Sequence, residues 1–290
     1  MSSTPLPPFE LESLVKAALK EDSPHGDVTT RALLDPALHA QAKVVAKQNL
    51  TLAGVAVLHA VYRVLDPAIV VSARFEDGDT LEAGQTFATL QGPARAILEG
   101  ERVALNFLQH LSGVATLTAR FKAEIRQYPT VLVDTRKTIP SLRRLEKWAV
   151  ALGGGTNHRM TLSDGVLIKD NHLVLLEAQG TTIREACRKA RERLSRQFRI
   201  CVEVENLKQI EQALDGGADM LLLDNMPPAL VQEAVDLIKG KAHIEVSGGV
   251  TLENVREYAA TGVDSISIGA LTHSAPAVDI SLDVLPASSQ

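Results

Sequence analysis

The sequence predicts an α/β protein, with an antiparallel sheet and an inserted helix first, then an irregular, incomplete α/β barrel of parallel strands. Three observations carry this. Residues 43–92 read as short apolar runs separated by Gly and Asp turns, the signature of antiparallel strands. After Pro129 the pattern becomes short apolar runs alternating with amphipathic helical stretches. Those later runs (VLV, LLL, ISI) are continuously apolar, as strands covered on both faces are. At 290 residues, 45 % of them hydrophobic, the chain can bury a large core in one domain or two.

The elements follow in order. Residues 9–20 have helical spacing, with Phe9, Leu11, Leu14, Val15, Ala18 and Leu19 on or near one face. Pro24 and Gly26 then break the helix, and EDSPHGDVTT reads as a loop in which Asp27, with Thr29 or Thr30, caps or turns. Residues 54–65 read as a helix inserted into the antiparallel sheet. Residues 94–128 are helical over most of their length, with Gly113 marking a break or a close helix crossing. Arg102 follows Glu99 and Glu101 on this helix, and a solvated face with local ion pairs competes evenly with a functional role. Six strand units come next: TVLVD, GVLIKD, RICVEVE, MLLLD, HIEVSGG and SISIGA. The helical stretches between them are SLRRLEKWAVAL, TIREACRKARERL, NLKQIEQALDGG, PPALVQEAVDLIKG and TLENVREYAATG. Six strands fall short of the usual eight of a complete barrel.

The opening MSSTPLPPFE has neither a charged n-region nor an apolar h-region, so no signal peptide is expected, and no apolar run is long enough for a membrane span. Cys187 and Cys201 are unpatterned and read as core thiols of a cytoplasmic protein, not a disulfide or a metal pair.

In a parallel barrel, ligands bind at the carboxyl ends of the strands. Here those ends are Asp134-Thr135-Arg136-Lys137, Lys169-Asp170-Asn171-His172, Glu203-Val204-Glu205-Asn206, Asp224-Asn225, Ser247-Gly248-Gly249 and Gly269-Ala270. One polar end is a helix cap by default, but six together exceed what capping requires. The last two ends, with a helix expected to begin at Thr251, offer the free backbone N–H groups with which barrels hold a phosphate.

Charge points the same way. Residues 134–172 hold four Arg and three Lys against three Asp and one Glu, +3 within a chain of −5. A basic island in an acidic protein suits a small anion better than nucleic acid. Arg136, His158, Arg159 and Lys169 suit a ligand with more than one carboxylate. Glu203 and Asp224, at adjacent strand ends, could hold ribose hydroxyls or a Mg²⁺ shared with a pyrophosphate, or form an ion-pair network with neighbouring lysines.

The stretch DTRKTIPSLRRLEKWAVALGGGTNHRMTLSDGVLIKDNH closely resembles the core of the quinolinate phosphoribosyltransferases. So do EDSPHGDVTT, ERVALNFLQHLSGVAT, VEVEN, LLLDNM, EVSGGV and ISIGALTHS, in order along nearly the whole chain. The resemblance implies an N-terminal α/β sandwich domain, residues 1–115, and an α/β barrel domain, residues 116–274, with the tail 275–290 returning to the first. It implies conversion of quinolinate and phosphoribosyl pyrophosphate, with Mg²⁺, to nicotinate mononucleotide, CO₂ and pyrophosphate in de novo NAD synthesis. It further implies a homodimer in which Arg102 completes the partner's site. Thr135, Arg136, His158, Arg159 and Lys169 would cradle quinolinate, with Lys137 near the reacting groups. Glu203 and Asp224 would hold the ribose or Mg²⁺ side, directly or through pyrophosphate. Ser247, Gly248, Gly249, Gly269 and Ala270 would take the 5′-phosphate. Catalysis would rest on Lys137, Lys169, Glu203 and Asp224.

Three other readings compete: a Schiff-base aldolase using Lys137 or Lys169, a barrel that only binds a phosphorylated ligand, and a related phosphoribosyltransferase acting on another pyridine or aromatic acid.

Overall fold

The computed structural model describes residues 4–285. In chain order the elements are α1 (Pro8–Asp22), α2 (Val28–Leu33), β1 (His39–Ala46), β2 (Leu50–Thr51), α3 (Val55–Leu65), β3 (Val70–Ala73), β4 (Thr80–Leu81), β5 (Thr86–Pro93) and α4 (Ala94–Glu124). There follow β6 (Val131–Val133), α5 (Arg143–Leu152), β7 (Val166–Ile168), α6 (Asp170–Glu177), α7 (Ile183–Arg193), β8 (Ile200–Val204), α8 (Leu207–Asp215) and β9 (Met220–Asp224). The last are α9 (Pro228–Ile238), β10 (His243–Ser247), α10 (Val255–Ala260), β11 (Ser265–Ser267), α11 (Ala270–His273) and β12 (Ile280–Leu285). They form two units: residues 1–119, 139–154 and 274–290, and residues 120–138 and 155–273.

The first unit is built on a four-stranded sheet in the order β12-β1-β5-β3, paired antiparallel throughout. β1 alternates exposed and buried residues, as a strand with one solvated face should. Helix α1 starts at Pro8, where a missing N–H costs nothing, and buries Leu11, Val15 and Leu19, spaced four apart on one stripe. Asp27 does cap α2, accepting from the Thr29 and Thr30 amides. In α3, Tyr62 is wholly buried, and its hydroxyl donates to the Ile97 carbonyl of α4.

Two expectations need correction here. Helix α4 passes through Gly113 unbroken; the glycine is required because any Cβ would run into the Pro276 carbonyl of the C-terminal segment, not another helix. Helix α5, read from its pattern as the barrel's first crossover, belongs to the first unit. Its fully buried Glu146 accepts from the Ile139 amide at 3.0 Å and meets His110 Nε2 of α4 at 2.8 Å, while Arg144 pairs with Glu10 of α1. A buried carboxylate needs such partners, and α4 carries the histidine. The tail reaches this unit through β12, which pairs with β1 from Gln41↔Leu285 to Ala46↔Ile280; the remainder of the tail, residues 286–290, lies outside the described residues.

The second unit holds the parallel sheet, in the order β6-β11-β10-β9-β8-β7. All six strands read from the apolar runs are present, every pairing between them is parallel, and β8 is buried along its whole length. Between β6 and β7 no ladder forms among the described residues. Instead Thr156 bridges to Val133, with the Thr156 amide donating to the Leu132 carbonyl at 2.8 Å and the Asp134 amide to the Thr156 carbonyl at 3.1 Å. The incomplete barrel is thereby patched by one extended segment at its seam. No helix of the described residues is long and apolar enough to cross a membrane.

Candidate active site

Six parallel strands end on one side of the sheet, and a cavity of about 360 Å³ opens there. Its lining includes Thr135, Arg136, Lys137, His158, Arg159, Lys169, Glu203, Asp224 and Ser247, all read from the strand ends. The alternation of strand side chains explains the convergence: Glu203, Leu222 and Glu245 stand in register on neighbouring strands, as do Asp224, Ser247 and Ser267 one layer nearer the mouth.

Five basic side chains from three segments therefore face one space. Arg159 is drawn below its ordinary range, first by burial and then by the neighbouring Arg136 guanidinium. Two cations held close in a half-buried position ask for a ligand with more than one negative charge. Arg159 also donates through Nη1 to the Gly165 carbonyl at 2.9 Å, which anchors it to its own loop. That loop is closed by Asp164, whose carboxylate accepts from the Met160 and Thr161 amides.

His158 is held from two sides. Fully buried Asp134 accepts from the His158 amide at 2.8 Å and from Asn157 Nδ2 at 2.7 Å, tying the seam segment to the end of β6. The Arg159 amide donates to His158 Nδ1 at 2.7 Å, so that nitrogen is an acceptor and the ring proton sits on Nε2. Nε2 lies 3.7 Å from Glu245 Oε1.

The acidic side is equally specific. Lys169 Nζ stands 3.2 Å from Glu203 Oε2. Asp224 is raised above the usual carboxylate range, first by burial and then by Glu203. It accepts from Asn225 Nδ2 at 2.6 Å. Asn225 itself takes a left-handed φ of 54°, and Gly248, at φ 88°, packs against it so tightly that an added Cβ would sit 2.7 Å from Asn225 Cγ. Only glycine fits there.

Gly269 leaves similar room for the lysine: a Cβ on it would come within 2.9 Å of Lys137 Cδ. The Lys137 backbone is fixed by its amide donating to Thr135 Oγ1 and its carbonyl accepting from Thr272 Oγ1.

Some expected residues stand elsewhere. Gly248, Gly249, Gly269 and Ala270 do not line the cavity; they are backbone positions at the ends of β10 and β11. The helix expected at Thr251 begins only at Val255, because the Asn254 side chain accepts from the Thr251 amide and donates to the Gly249 carbonyl, holding a turn. Arg102 belongs to the first unit, exposed on α4 and without a hydrogen bond or ion pair among the described residues. Leu167, Leu222, Glu245 and Ser267 line the cavity without having been singled out. Position alone would have found three of them: each lies two residues before a residue already read as functional, or opposite one in register. Cys187 and Cys201 are free and buried, and burial pushes the Cys187 thiol up to about 11.

Carboxylates suited to a cation are few. No group of three or more His, Cys, Asp or Glu among the described residues is arranged to hold a metal by itself. Glu203 and Asp224 at one cavity wall do match the usual Mg²⁺ arrangement, in which one or two carboxylates share the ion with substrate phosphates.

Comparison with known proteins adds sequence and fold. Residues 27–112 match the family model for the N-terminal domain of quinolinate phosphoribosyl transferase, and residues 114–283 that for its C-terminal domain. A probable carboxylating nicotinate-nucleotide pyrophosphorylase of Bacillus subtilis is 41 % identical over 276 residues, 95 % of this chain and 94 % of the relative. A decarboxylating quinolinate phosphoribosyltransferase (2b, mitochondrial) of Nicotiana tabacum is 38 % identical over 294 residues, covering 96 % and 83 %. The solved nicotinate-nucleotide pyrophosphorylase of Francisella tularensis superposes with a TM-score of 0.91 at 36 % identity, over 98 % of this chain and all of that one.

Proposed function

The chain belongs to the quinolinate phosphoribosyltransferase family, and from that premise we propose that the cavity at the strand ends joins quinolinate to phosphoribosyl pyrophosphate. The products are nicotinate mononucleotide, CO₂ and pyrophosphate, and the reaction belongs to de novo NAD synthesis. The observation that carries the site assignment is the convergence of Arg136 and Arg159, cation against cation, opposite Glu203 and Asp224 in one cavity.

The chemistry asks mainly for placement and charge. The pyridine nitrogen must reach the anomeric carbon as pyrophosphate leaves, so two anionic substrates have to be held in line. Arg136 and Arg159, with Lys169, orient the dianion; Thr135 and His158 complete its cradle. Lys137, its stem seated over Gly269, meets the charge that develops on the departing oxygens. Asp224 and Glu203 take the ribose hydroxyls, and with the pyrophosphate oxygens would hold Mg²⁺, which supplies neutralisation of the leaving group. Ser247, with the backbone of Gly248, Gly249, Gly269 and Ala270, receives the 5′-phosphate.

Decarboxylation follows from the same arrangement. Once the ring nitrogen is alkylated it is positive, and it accepts the electron pair released as the adjacent carboxylate leaves as CO₂. No separate electron sink is needed. A tight grip on the departing carboxylate would oppose its loss, so the strongest two-pronged arginine contact falls on the carboxylate that is retained.

The reading includes a cytoplasmic homodimer in which Arg102 reaches the partner's site. The exposed, unengaged guanidinium on α4 supports it, as does the pair of buried free thiols for the compartment. The decisive assay mixes the protein with quinolinate, phosphoribosyl pyrophosphate and Mg²⁺ and follows nicotinate mononucleotide together with CO₂. Product from another pyridine acid but not from quinolinate would move the assignment to a sister activity.

A further inference from the structure

One charged group in the cavity has no task in the mechanism above. Glu245 sits in the middle of β10, 1 % exposed, in a barrel interior where isolated charge is costly. Its Oε2 accepts from Ser265 Oγ at 3.1 Å, and Ser265 in turn meets His243 Nε2 at 2.8 Å. Its Oε1 has no hydrogen-bond partner and is the oxygen that faces His158 Nε2, at 3.7 Å.

A carboxyl oxygen buried without a partner demands an explanation. Here it lies directly beneath the cradle for a dianion. The ring proton of His158 is fixed on Nε2 by the Arg159 amide at Nδ1, so histidine cannot neutralise Glu245 by taking a second proton without losing that bond. An ionised Glu245 would therefore add a negative charge under the substrate carboxylates.

We propose that Glu245 is a positioning residue for quinolinate: it aims the His158 ring, and it must be protonated when the dianion is bound. Quinolinate binding then takes one proton from solvent onto whatever fraction of Glu245 is ionised. The surroundings agree. The groups facing it are His158 from the seam, Ser265 and Ser267 on β11, Leu222 on β9, Cys201 on β8 and Asp134 at the end of β6. No cation stands among the neighbours that bear on it, and Asp134 disfavours its charge. Burial, the largest influence, and Asp134 push its pKa up to about 7 against the pull of the two serines, so the proton is exchanged at the pH where the enzyme works.

This rests on the assignment of His158 to the quinolinate cradle, and the experiment separates the two. Steady-state rates with quinolinate, phosphoribosyl pyrophosphate and Mg²⁺ are measured from about pH 6 to about pH 8 for the wild type and Glu245→Gln. With a group titrating near neutrality that must be protonated, KM for quinolinate in the wild type rises up to about tenfold across that range. In Glu245→Gln the rise is lost while kcat and KM for phosphoribosyl pyrophosphate follow the wild-type profile in shape. A wild-type KM that is flat, or a rise retained in the variant, overturns the proposal even if the enzyme is fully active; absence of any reaction overturns the functional assignment instead. Should the variant fold poorly, titration calorimetry of quinolinate into the wild type in two buffers of different ionisation enthalpy reads the same event. Net proton uptake near pH 7 is expected, and its absence refutes the coupling.

Discussion

Lys169 Nζ and Glu203 Oε2 stand 3.2 Å apart across the ends of β7 and β8, with the carboxylate nearly buried and the ammonium half exposed. The two are unequal partners. Lys169→Ala strands a buried carboxylate beside the already raised Asp224 and should cost about 1–2 kcal/mol of stability, discounted for the solvent that screens the lysine. Glu203→Gln removes the charge that helps raise Asp224, and should leave the fold nearly as stable. Both should lower kcat/KM by about a hundredfold or more, with the double variant no worse than the weaker single one, as expected for groups acting as a unit. Melting curves and steady-state kinetics on the three variants decide it; strictly additive losses would separate the pair.

The paired arginines make a sharper demand. Arg136→Lys and Arg159→Lys keep the charge but lose the planar fork, so each should lower kcat/KM for quinolinate by roughly 10–100-fold with little change in melting temperature. An enzyme with unchanged kcat/KM would count against that arginine as part of the clamp.

Much of this site could be read before any fold was known, and the reason is positional. Arg136, Lys169, Glu203 and Asp224 follow directly on continuous apolar runs, and a parallel strand presents whatever follows its last apolar residue to the binding face. Glu245 and Ser267 were hidden by the same logic, because they lie inside strands whose apolar neighbours mask them; only the two-residue alternation with Ser247, and its register with Ser267, reveals them. Gly248 was visible as a turn glycine but not as the residue that must clear Asn225, since that contact joins two strand ends. Helix α6 was missed altogether: DNHLVLLE is short, leaves Val174 and Leu175 exposed, and is held at its start by the Lys169 amide donating to His172 Nδ1 at 3.0 Å. The affiliation of α5 depended on Glu146 finding His110, a pairing between residues far apart in sequence.

Complementation tests the subunit arrangement. If Arg102 serves the partner's site, Arg102→Ala and Lys137→Ala are each inactive as homodimers, yet a hybrid carries one site with both residues intact. Mixing and exchanging the two proteins should restore about a quarter of wild-type activity, because half the dimers are hybrids and each has one competent site of two. Activity that stays at the level of the separate variants after exchange would place Arg102 in its own chain's site or in none.

Glu245 also makes a prediction about stability, independent of substrate. Its folded pKa, about 7, lies above the unfolded value of 4.5, so the folded state binds more protons than the unfolded state between those values. Stability tied to this group is therefore fully present below about pH 4.5 and is lost as pH rises through 7, by at most about 3 kcal/mol. Glu245→Gln keeps the volume and an acceptor for Ser265 but has nothing to ionise. The melting temperature of the variant, relative to the wild type at the same pH, should climb as pH goes from about 4.5 to about 7 and then level off. A difference that stays constant across that window, or one that shrinks, would mean that Glu245 is no harder to ionise in the folded protein than in the unfolded chain.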